Sequence, residues 1–141
     1  MPETGRVLGL DLGDVRIGVA ISDPDRRLAV PFGTVHTGAP ADLKAIAELV
    51  REHEVTLVVV GHPLMLSGGA GTRARHAEEF VAALRQVLSV PVELHDERLS
   101  TVEADKALRE AGAGSRDRRA AVDRSAAAVI LQSYLDRAVS T

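Results

Sequence analysis

The segment Thr56–Gly61 constrains the fold of this chain more than any other feature of the sequence. It is a continuous β-branched and apolar run, which is typical of a strand covered on both faces of its sheet. Apolar residues recur at helical spacing on either side of it, and they predict amphipathic helices at Ala41–Glu54 and Thr72–Leu88. A buried strand between two such helices predicts βα units and therefore an α/β fold.

The N-terminal part of the chain predicts antiparallel strands instead. Two turn sequences separate three alternating segments, and Pro31 in the third of them predicts a strand at the edge of the sheet. The three strands are predicted at Arg6–Leu12, Arg16–Ser22 and Leu28–Val35.

The C-terminal part adds one strand and two helices. The strand is predicted at Val90–His95, and the capping box of Ser100 with Glu103 opens a helix that ends before Gly112. A basic loop at Gly112–Arg119 and a last helix to about Ala138 follow. The order β-β-β-α-β-α-β-α-α implies a mixed sheet with helices on both faces, in one domain over residues 1–141.

Composition excludes several classes of protein. The chain contains no cysteine, which excludes disulfides and thiolate metal sites. Its apolar runs are far shorter than the ~20 residues that cross a membrane, and the first strand leaves no room for a signal peptide, so we expect a cytoplasmic protein. The net charge of -3 argues against general coating of nucleic acid, although a nuclease can keep acids at its centre and bases at its edges.

Two carboxylates occupy positions that small or apolar residues would normally take. Alternation along the first strand places Asp11 on the same face as Gly9, where missing side chains leave room for a ligand. Asp123 shares the apolar face of the last helix with Ala127 and Ile130. Structural explanations stay open for both, because an aspartate can start a turn and an acid early in a helix complements its dipole.

Two further acids lie in the charged segment His95-Asp96-Glu97-Arg98 at the end of the last strand, where open α/β sheets place their ligands. A charged connection with Arg98 paired to an acid would explain this group as well. Glu97 is preferred to Asp96 as a ligand, because its extra methylene helps to span two strand spacings of ~4.8 Å if another strand intervenes.

Taken together, the three acids fit one chemistry. Hydrolysis of a phosphodiester by cations needs converging carboxylates that hold the metals against the attacking and leaving oxygens. Oxygen ligands without cysteine favour Mg²⁺ or Mn²⁺ over zinc. The sequence therefore predicts a metal-dependent nuclease site at Asp11, Glu97 and Asp123.

Four blocks of sequence resemble the YqgF family of RuvC-like Holliday junction resolvases, which is also linked to maturation of the small-subunit rRNA precursor. They are Gly9-Leu10-Asp11-Leu12-Gly13 with Arg16-Ile17-Gly18-Val19-Ala20, Gly61-His62-Pro63, Asp96-Glu97-Arg98-Leu99-Ser100-Thr101 and Asp123-Arg124-Ser125-Ala126-Ala127. The resemblance spans essentially the whole chain. It implies a ribonuclease H-like sheet of order 3-2-1-4-5 with an antiparallel second strand, and family acids equivalent to Asp11, Glu97 and Asp123.

The chain departs from the family pattern in three places. Met65 and Ser67 stand where the family usually carries an Asn and an Asp. The strand beside the first ends in Gly61-His62-Pro63 without an acid, and Ala120 stands where related resolvases can carry a further ligand. Three acids without a fourth predict weaker or single-metal binding.

Arginines supply the candidate nucleic-acid contacts. Arg73 and Arg75 lie at a helix N-terminus after the glycine-rich loop 66–71, where they can meet phosphate. Arg98 and the arginines of the basic loop, Arg116, Arg118 and Arg119, complete the set. A mobile loop and solvated charges are the structural alternatives. His95 and Asp96 are candidates for supporting the ligands.

These features predict a hydrolase that cleaves structured nucleic acid with Mg²⁺ or Mn²⁺. It would act in rRNA processing and ribosome biogenesis, or as a Holliday junction resolvase in DNA recombination and repair. Two alternatives stay open: an actin-like ATPase, whose phosphate loop also has the form Gly-x-Asp-x-Gly, and a catalytically silent binding module on the same fold. The sequence favours neither DNA nor RNA, and neither a monomer nor a weak homodimer.

Overall fold

The computed structural model describes residues 4–64, 71–99 and 115–140, with side chains from 126 to 138 in the last range. Within these ranges the chain forms five strands and three long helices. They are β1 (Arg6–Leu12), β2 (Arg16–Ser22), β3 (Ala29–His36), α1 (Ala41–Glu52), β4 (Val55–His62), α2 (Thr72–Val87), β5 (Val92–Asp96) and α3 (Ser115–Ser140). A further helical stretch begins directly after β5, at residues 97–99.

The five strands form one mixed sheet of order β3-β2-β1-β4-β5. β2 is antiparallel to both β1 and β3, whereas β4 is parallel to both β1 and β5. This arrangement confirms the predicted fold class and strand order, and it places the proline-containing strand β3 at an edge, as predicted. The carboxyl ends of β1, β4 and β5 therefore lie side by side.

Helices cover both faces of the sheet. α1 and α2 pack on one face, where Ile46 and Leu84 meet Val58 and Val60 in a large apolar core. α3 packs on the other face, where Leu131 belongs to a smaller core. Since β4 contributes buried residues to both cores, the prediction that this strand is covered on both sides is confirmed.

α3 lies close to the sheet because glycine faces it. A Cβ placed on Gly9 would lie only 2.7 Å from the Cβ of Leu131 and 3.3 Å from the carbonyl oxygen of Ala127. The helix thus occupies the space that a side chain at position 9 would fill. This contact fixes the height of α3 above the carboxyl end of β1.

Several predicted boundaries differ from the structure. α1 ends at Glu52, since Glu54 adopts a left-handed backbone with φ of 54° that a helix does not accommodate. β5 begins at Val92 rather than Val90, because Pro91 has no N–H for strand pairing. The helix predicted from Ser100 to before Gly112 lies outside the described residues.

The predicted basic loop at Gly112–Arg119 is wrong from residue 115 onward. α3 begins at Ser115, so Arg116, Arg118 and Arg119 belong to its first two turns. After the glycines at 112 and 114 the sequence contains no helix-breaking residue, and arginine and alanine both favour helix. The cluster of arginine charges was therefore not sufficient to predict a loop at these positions. None of the helices in the described ranges is both long and apolar enough to span a bilayer.

Candidate active site

Asp11 lies near the end of β1 on the face covered by α3. Its register partner in β2 is Gly18, and a Cβ placed on that glycine would be 3.7 Å from the Cβ of Asp11 and 3.6 Å from that of Ala127. The half-buried carboxylate has no salt bridge within the described part of the chain. Burial raises the pKa of Asp11, and the positive charge of Arg73 partly offsets this increase.

Glu97 reaches towards Asp11 from the far side of β4. It follows β5 directly, and β4 separates that strand from β1. A Cβ placed on Gly61 of β4 would lie 2.8 Å from Oε2 of Glu97. The carboxylate therefore passes over the β4 backbone at the one position in that strand where no side chain blocks it.

The two carboxylates are close enough to affect each other. Burial raises the pKa of Glu97, and the negative charge of Asp11 raises it further. The charges of Arg73 and His62 act in the opposite direction. Two partly buried acids that repel each other form a site that is stabilised by a cation between them.

Asp96, the neighbour of Glu97, is engaged differently. Its carboxylate accepts hydrogen bonds from Nε of Arg98 at 3.0 Å and from Nη2 at 2.6 Å. This fork-like pairing lowers the pKa of Asp96, since Arg98 stabilises the ionised form. The structure thus separates adjacent acids into one neutralised by an arginine and one directed at Asp11. The contact role predicted for Arg98 stays a prediction.

His95 faces α3 rather than open solvent. Its Nε2 lies 3.0 Å from Oγ of Ser133, and its ring meets Tyr134 edge to face at a centroid distance of 5.7 Å. The histidine is buried and ties the end of β5 to α3. That position is compatible with the supporting role predicted for it, because it holds the strand from which Glu97 extends.

Arg73 lies beside the carboxylates, on the first turn of α2. With Gly13, Pro63, His76 and Glu97 it lines a cleft of about 260 Å³, which we call the charged cleft. Arg75, also predicted to contact nucleic acid, is exposed and is not part of this lining.

Sequence reasoning did not assign three residues near the site. His76 lines the charged cleft, and Gly61 gives Glu97 its path. His62 pairs with Glu78 at 2.7 Å on the opposite sheet face. A glycine that interrupts a β-branched run was the available signal for Gly61, because such glycines mark close approach. The block Gly61-His62-Pro63 included His62 without a defined role, and nothing in the spacing pointed to His76.

The remaining predicted residues lie on α3. The backbone of Asp123 belongs to this helix, as do those of Arg116, Arg118 and Arg119, while their side chains lie outside the described residues. The structure thus brings together two of the three predicted acids. No group of three metal-ligating side chains occurs among the described residues. The donor chemistry of Asp11 and Glu97, two ionisable oxygen ligands, fits a hard cation such as Mg²⁺ or Mn²⁺.

A family model described as RuvX, Holliday junction resolvase, matches residues 5–137. The chain belongs to the RuvX family. This membership confirms the predicted resemblance, YqgF being another name for RuvX. A RuvX relative from Anaeromyxobacter dehalogenans, named "Putative pre-16S rRNA nuclease", is 53% identical over 133 residues, which cover 94% of this chain and 97% of that protein. A second relative of that name, from Mycobacterium leprae, is 51% identical over 138 residues, which cover 96% of this chain and 75% of that protein.

Solved structures agree with the RuvX assignment at the level of the fold. RuvC of T. thermophilus in complex with a Holliday junction substrate matches with a TM-score of 0.59 at 16% identity, covering 97% of both chains. The yeast mitochondrial Holliday junction resolvase Ydc2 matches with a TM-score of 0.54 at 13% identity, covering 94% of this chain and 78% of that one. The names of RuvX proteins and their relatives are those of nucleases, which are hydrolases acting on nucleic acid.

Proposed function

We propose that this chain is a divalent-cation-dependent nuclease in which Asp11, Glu97 and Asp123 hold the cation. The observation that carries the proposal is the convergence of Asp11 and Glu97 across Gly61. Two strands of the same sheet direct carboxylates to one place, where burial raises the pKa of both and the negative charge of Asp11 raises that of Glu97 further.

Each neighbouring residue has a defined task in this mechanism. A bound Mg²⁺ or Mn²⁺ would activate water and stabilise the leaving oxygen of the phosphodiester. Arg73 favours the ionised form of both acids, because its positive charge opposes the rise in their pKa values. Arg98 holds Asp96 in a fork of hydrogen bonds, so that this carboxylate does not compete with Glu97 for the cation.

The proposed substrate is structured nucleic acid, with the small-subunit rRNA precursor as the first candidate. Relatives that are 53% and 51% identical over nearly the whole chain carry that substrate in their names. A four-way DNA junction is the second candidate, because the family description names it. The solved resolvases at 13% and 16% identity support the fold alone.

The experiment compares a precursor-16S rRNA fragment, a single-stranded RNA and a four-way DNA junction, each with Mg²⁺, Mn²⁺, Ca²⁺ or a chelator. We expect cleavage with Mg²⁺ and Mn²⁺ and none with the chelator. Ca²⁺ should not replace them, since its longer bonds and higher coordination number alter the geometry. Full turnover after exhaustive chelation would refute a metal mechanism. ATP hydrolysis, measured in parallel, would support the actin-like alternative.

Three variants test the ligands, and one neighbouring residue serves as a matched control. Asp11→Asn, Glu97→Gln and Asp123→Asn should each abolish cleavage while the circular dichroism spectrum stays unchanged. Asp96→Asn should be milder, a loss of about 10- to 100-fold at most, because this residue only supports the site. An inactive Asp96→Asn beside an active Glu97→Gln would reverse the assignment. A wild-type chain that binds but never cleaves would favour the silent binding module.

A further inference from the structure

His62 lies at the site, yet the proposed mechanism gives it no task. It is the last residue of β4, directly after Gly61, and it faces α2 because successive residues of a strand point to opposite faces. Its Nε2 lies 2.7 Å from Oε2 of Glu78 in α2. An ionised carboxylate only accepts hydrogen bonds, so the imidazole donates this one. The side chain of His62 is 16% exposed and that of Glu78 is 44% exposed, so the donor is the more firmly enclosed of the two.

A second carboxylate lies beside His62. Asp96 is its register partner in β5, so the two side chains project from the same face of neighbouring strands. The hydrogen bonds from Arg98 lower the pKa of Asp96 most, and the positive charge of His62 contributes to the same shift. Charges of alternating sign therefore extend from α2 across β4 to the end of β5, in the order Glu78, His62, Asp96 and Arg98.

Polar contacts hold α2 to the sheet near both of its ends. Towards the C-terminus of the helix, Arg85 donates from Nε and Nη2 to the carbonyl oxygen of Val92 at the start of β5. Towards its N-terminus, the His62–Glu78 pair joins it to the carboxyl end of β4. At ~1.5 Å per residue, Glu78 lies about 7.5 Å along the helix axis from Arg73, whereas Arg85 lies about 18 Å from it. The contact that controls the position of Arg73 is therefore the His62–Glu78 pair.

The same pair borders the charged cleft. Pro63 follows His62 and Ala77 precedes Glu78, and both of these neighbours line the cleft together with Arg73. The cleft therefore lies between the end of β4 and α2, and the distance between these two elements sets its width. If that distance increased, Arg73 would move away from the carboxylates, because it belongs to the first turn of the helix.

We propose that His62 is a positioning residue: with Glu78 it fixes the N-terminal part of α2 against the carboxyl end of β4 and so holds Arg73 beside the two carboxylates. Arg73 acts on them through its charge, which opposes the rise that burial causes in the pKa values of Asp11 and Glu97. A Coulomb interaction weakens with distance, so this effect depends on where the helix lies. The consequence for catalysis rests on the proposed nuclease function, whereas the positioning of Arg73 does not.

The pair acts through geometry more than through stability. Ion pairs with an exposed partner usually add little to the free energy of unfolding. The ring of His62, however, is largely enclosed at the end of a strand that packs in both cores, so it offers Glu78 a donor at a fixed position. Loss of the pair should therefore change the position of α2 more than it changes the stability of the fold.

A double-mutant cycle of His62 and Arg73 tests the proposal by cleavage rates. His62→Leu has a similar volume but no donor, and it should lower kcat about 10- to 100-fold, the usual cost of losing an outer partner of a ligand. In an Arg73→Ala background the same substitution should change kcat by less than about 2-fold, since its effect passes through Arg73. His62→Gln, whose amide still donates to Glu78, should recover most of the activity. An equal loss in both backgrounds, or a His62→Gln variant as slow as His62→Leu, would overturn the proposal.

Substitutions on α2 provide the matched controls. Glu78→Ala removes the acceptor and should be as slow as His62→Leu. Glu79→Ala removes a carboxylate from the next position, which is also exposed and forms no ion pair within the described ranges, so it should keep the wild-type kcat. Arg85→Gln weakens the contact at the other end of the helix, and it should lower the urea midpoint without lowering kcat. A slow Glu79→Ala or a fully active Glu78→Ala would overturn the role of the pair.

A spectroscopic distance tests the positioning even if no substrate is cleaved. The chain contains no cysteine, so nitroxide labels can be attached at Lys44→Cys on α1 and Arg75→Cys on α2, two exposed positions. His62→Leu and Glu78→Ala should shift the distance between the labels by about 1 Å or more, a displacement that costs catalytic groups ~10²-fold, and Glu79→Ala should leave it unchanged. A wild-type chain that cleaves nothing would overturn the nuclease, while this shift would still support the positioning of α2. An unchanged distance would overturn the positioning, whatever the chain cleaves.

Discussion

Replacing Gly61 with alanine is the smallest change that should disturb the proposed site. In the wild-type chain, the carboxylate of Glu97 passes directly over this glycine. A Cβ at position 61 would lie 2.8 Å from Oε2 of Glu97 and 2.9 Å from Cδ1 of Ile130, and both distances are too short for real contacts. Gly61→Ala therefore forces the acid and the helix residue to move, without changing any ionisable group.

The expected magnitude follows from these distances. To reach ordinary contact at 3.4 Å, Oε2 must move by about 0.6 Å. Catalytic groups need placement within ~0.5 Å, and a displacement of ~1 Å can cost 10²-fold, so we expect kcat to fall about 10- to 100-fold. The free energy of unfolding should fall by about 1–3 kcal/mol, the usual cost of overpacking a core.

A second substitution separates these two effects. Ile130→Val removes the Cδ1 methyl that the new Cβ would meet. The double variant Gly61→Ala/Ile130→Val should recover much of the stability in urea unfolding, yet it should stay slow because the contact with Glu97 persists. Cleavage rates at saturating substrate and unfolding curves are measured for both variants. Full activity in Gly61→Ala, or recovery of activity in the double variant, would refute the path we assign to Glu97.

Two further predictions concern charge. Because the pKa values of Asp11 and Glu97 are raised in the fold, these groups stabilise it fully below their ordinary pKa values and lose that contribution as pH rises through the raised values. Asp11→Asn and Glu97→Gln should therefore increase the free energy of unfolding at pH 7 without divalent cations and flatten its dependence on pH; lower stability at pH 7 would contradict this. The combined change of Arg116, Arg118 and Arg119 to alanine should weaken binding to unrelated sequences alike. It should flatten the slope of log affinity against log salt by about 2 to 3 if all three contact phosphate, and an unchanged slope would remove them from the interface.

Much of the fold could be predicted because local patterns and the sheet agree. The β-branched run of β4 and the two flanking amphipathic helices contain enough information to define parallel βα units. Alternation in β1 correctly placed Asp11 on the face of Gly9. Successive side chains of a strand point to opposite faces, so each residue can lie on only one of two faces. Strand order, by contrast, depends on non-local pairing, and the family resemblance supplied it.

The basic stretch shows where local reasoning was insufficient. Arg116, Arg118 and Arg119 suggested a loop because charges and flanking glycines are common in loops. Helix propensity was the stronger effect, since arginine and alanine stabilise a helix once the last glycine has passed. For these residues a helix fixes the backbone spacing along one axis, which a loop would not.

The preference for Glu97 over Asp96 shows what sequence can and cannot contribute to the site. Counting strand spacings favoured the longer acid at this position, and the structure has β4 between the two acids. Two further conditions are visible only in three dimensions. The intervening strand must carry a glycine at the crossing point, as Gly61 does, and the adjacent acid must be neutralised elsewhere, as Arg98 does for Asp96. A carboxylate of sufficient length is therefore necessary for this site, but the glycine beneath it and the arginine beside it determine which acid can reach Asp11.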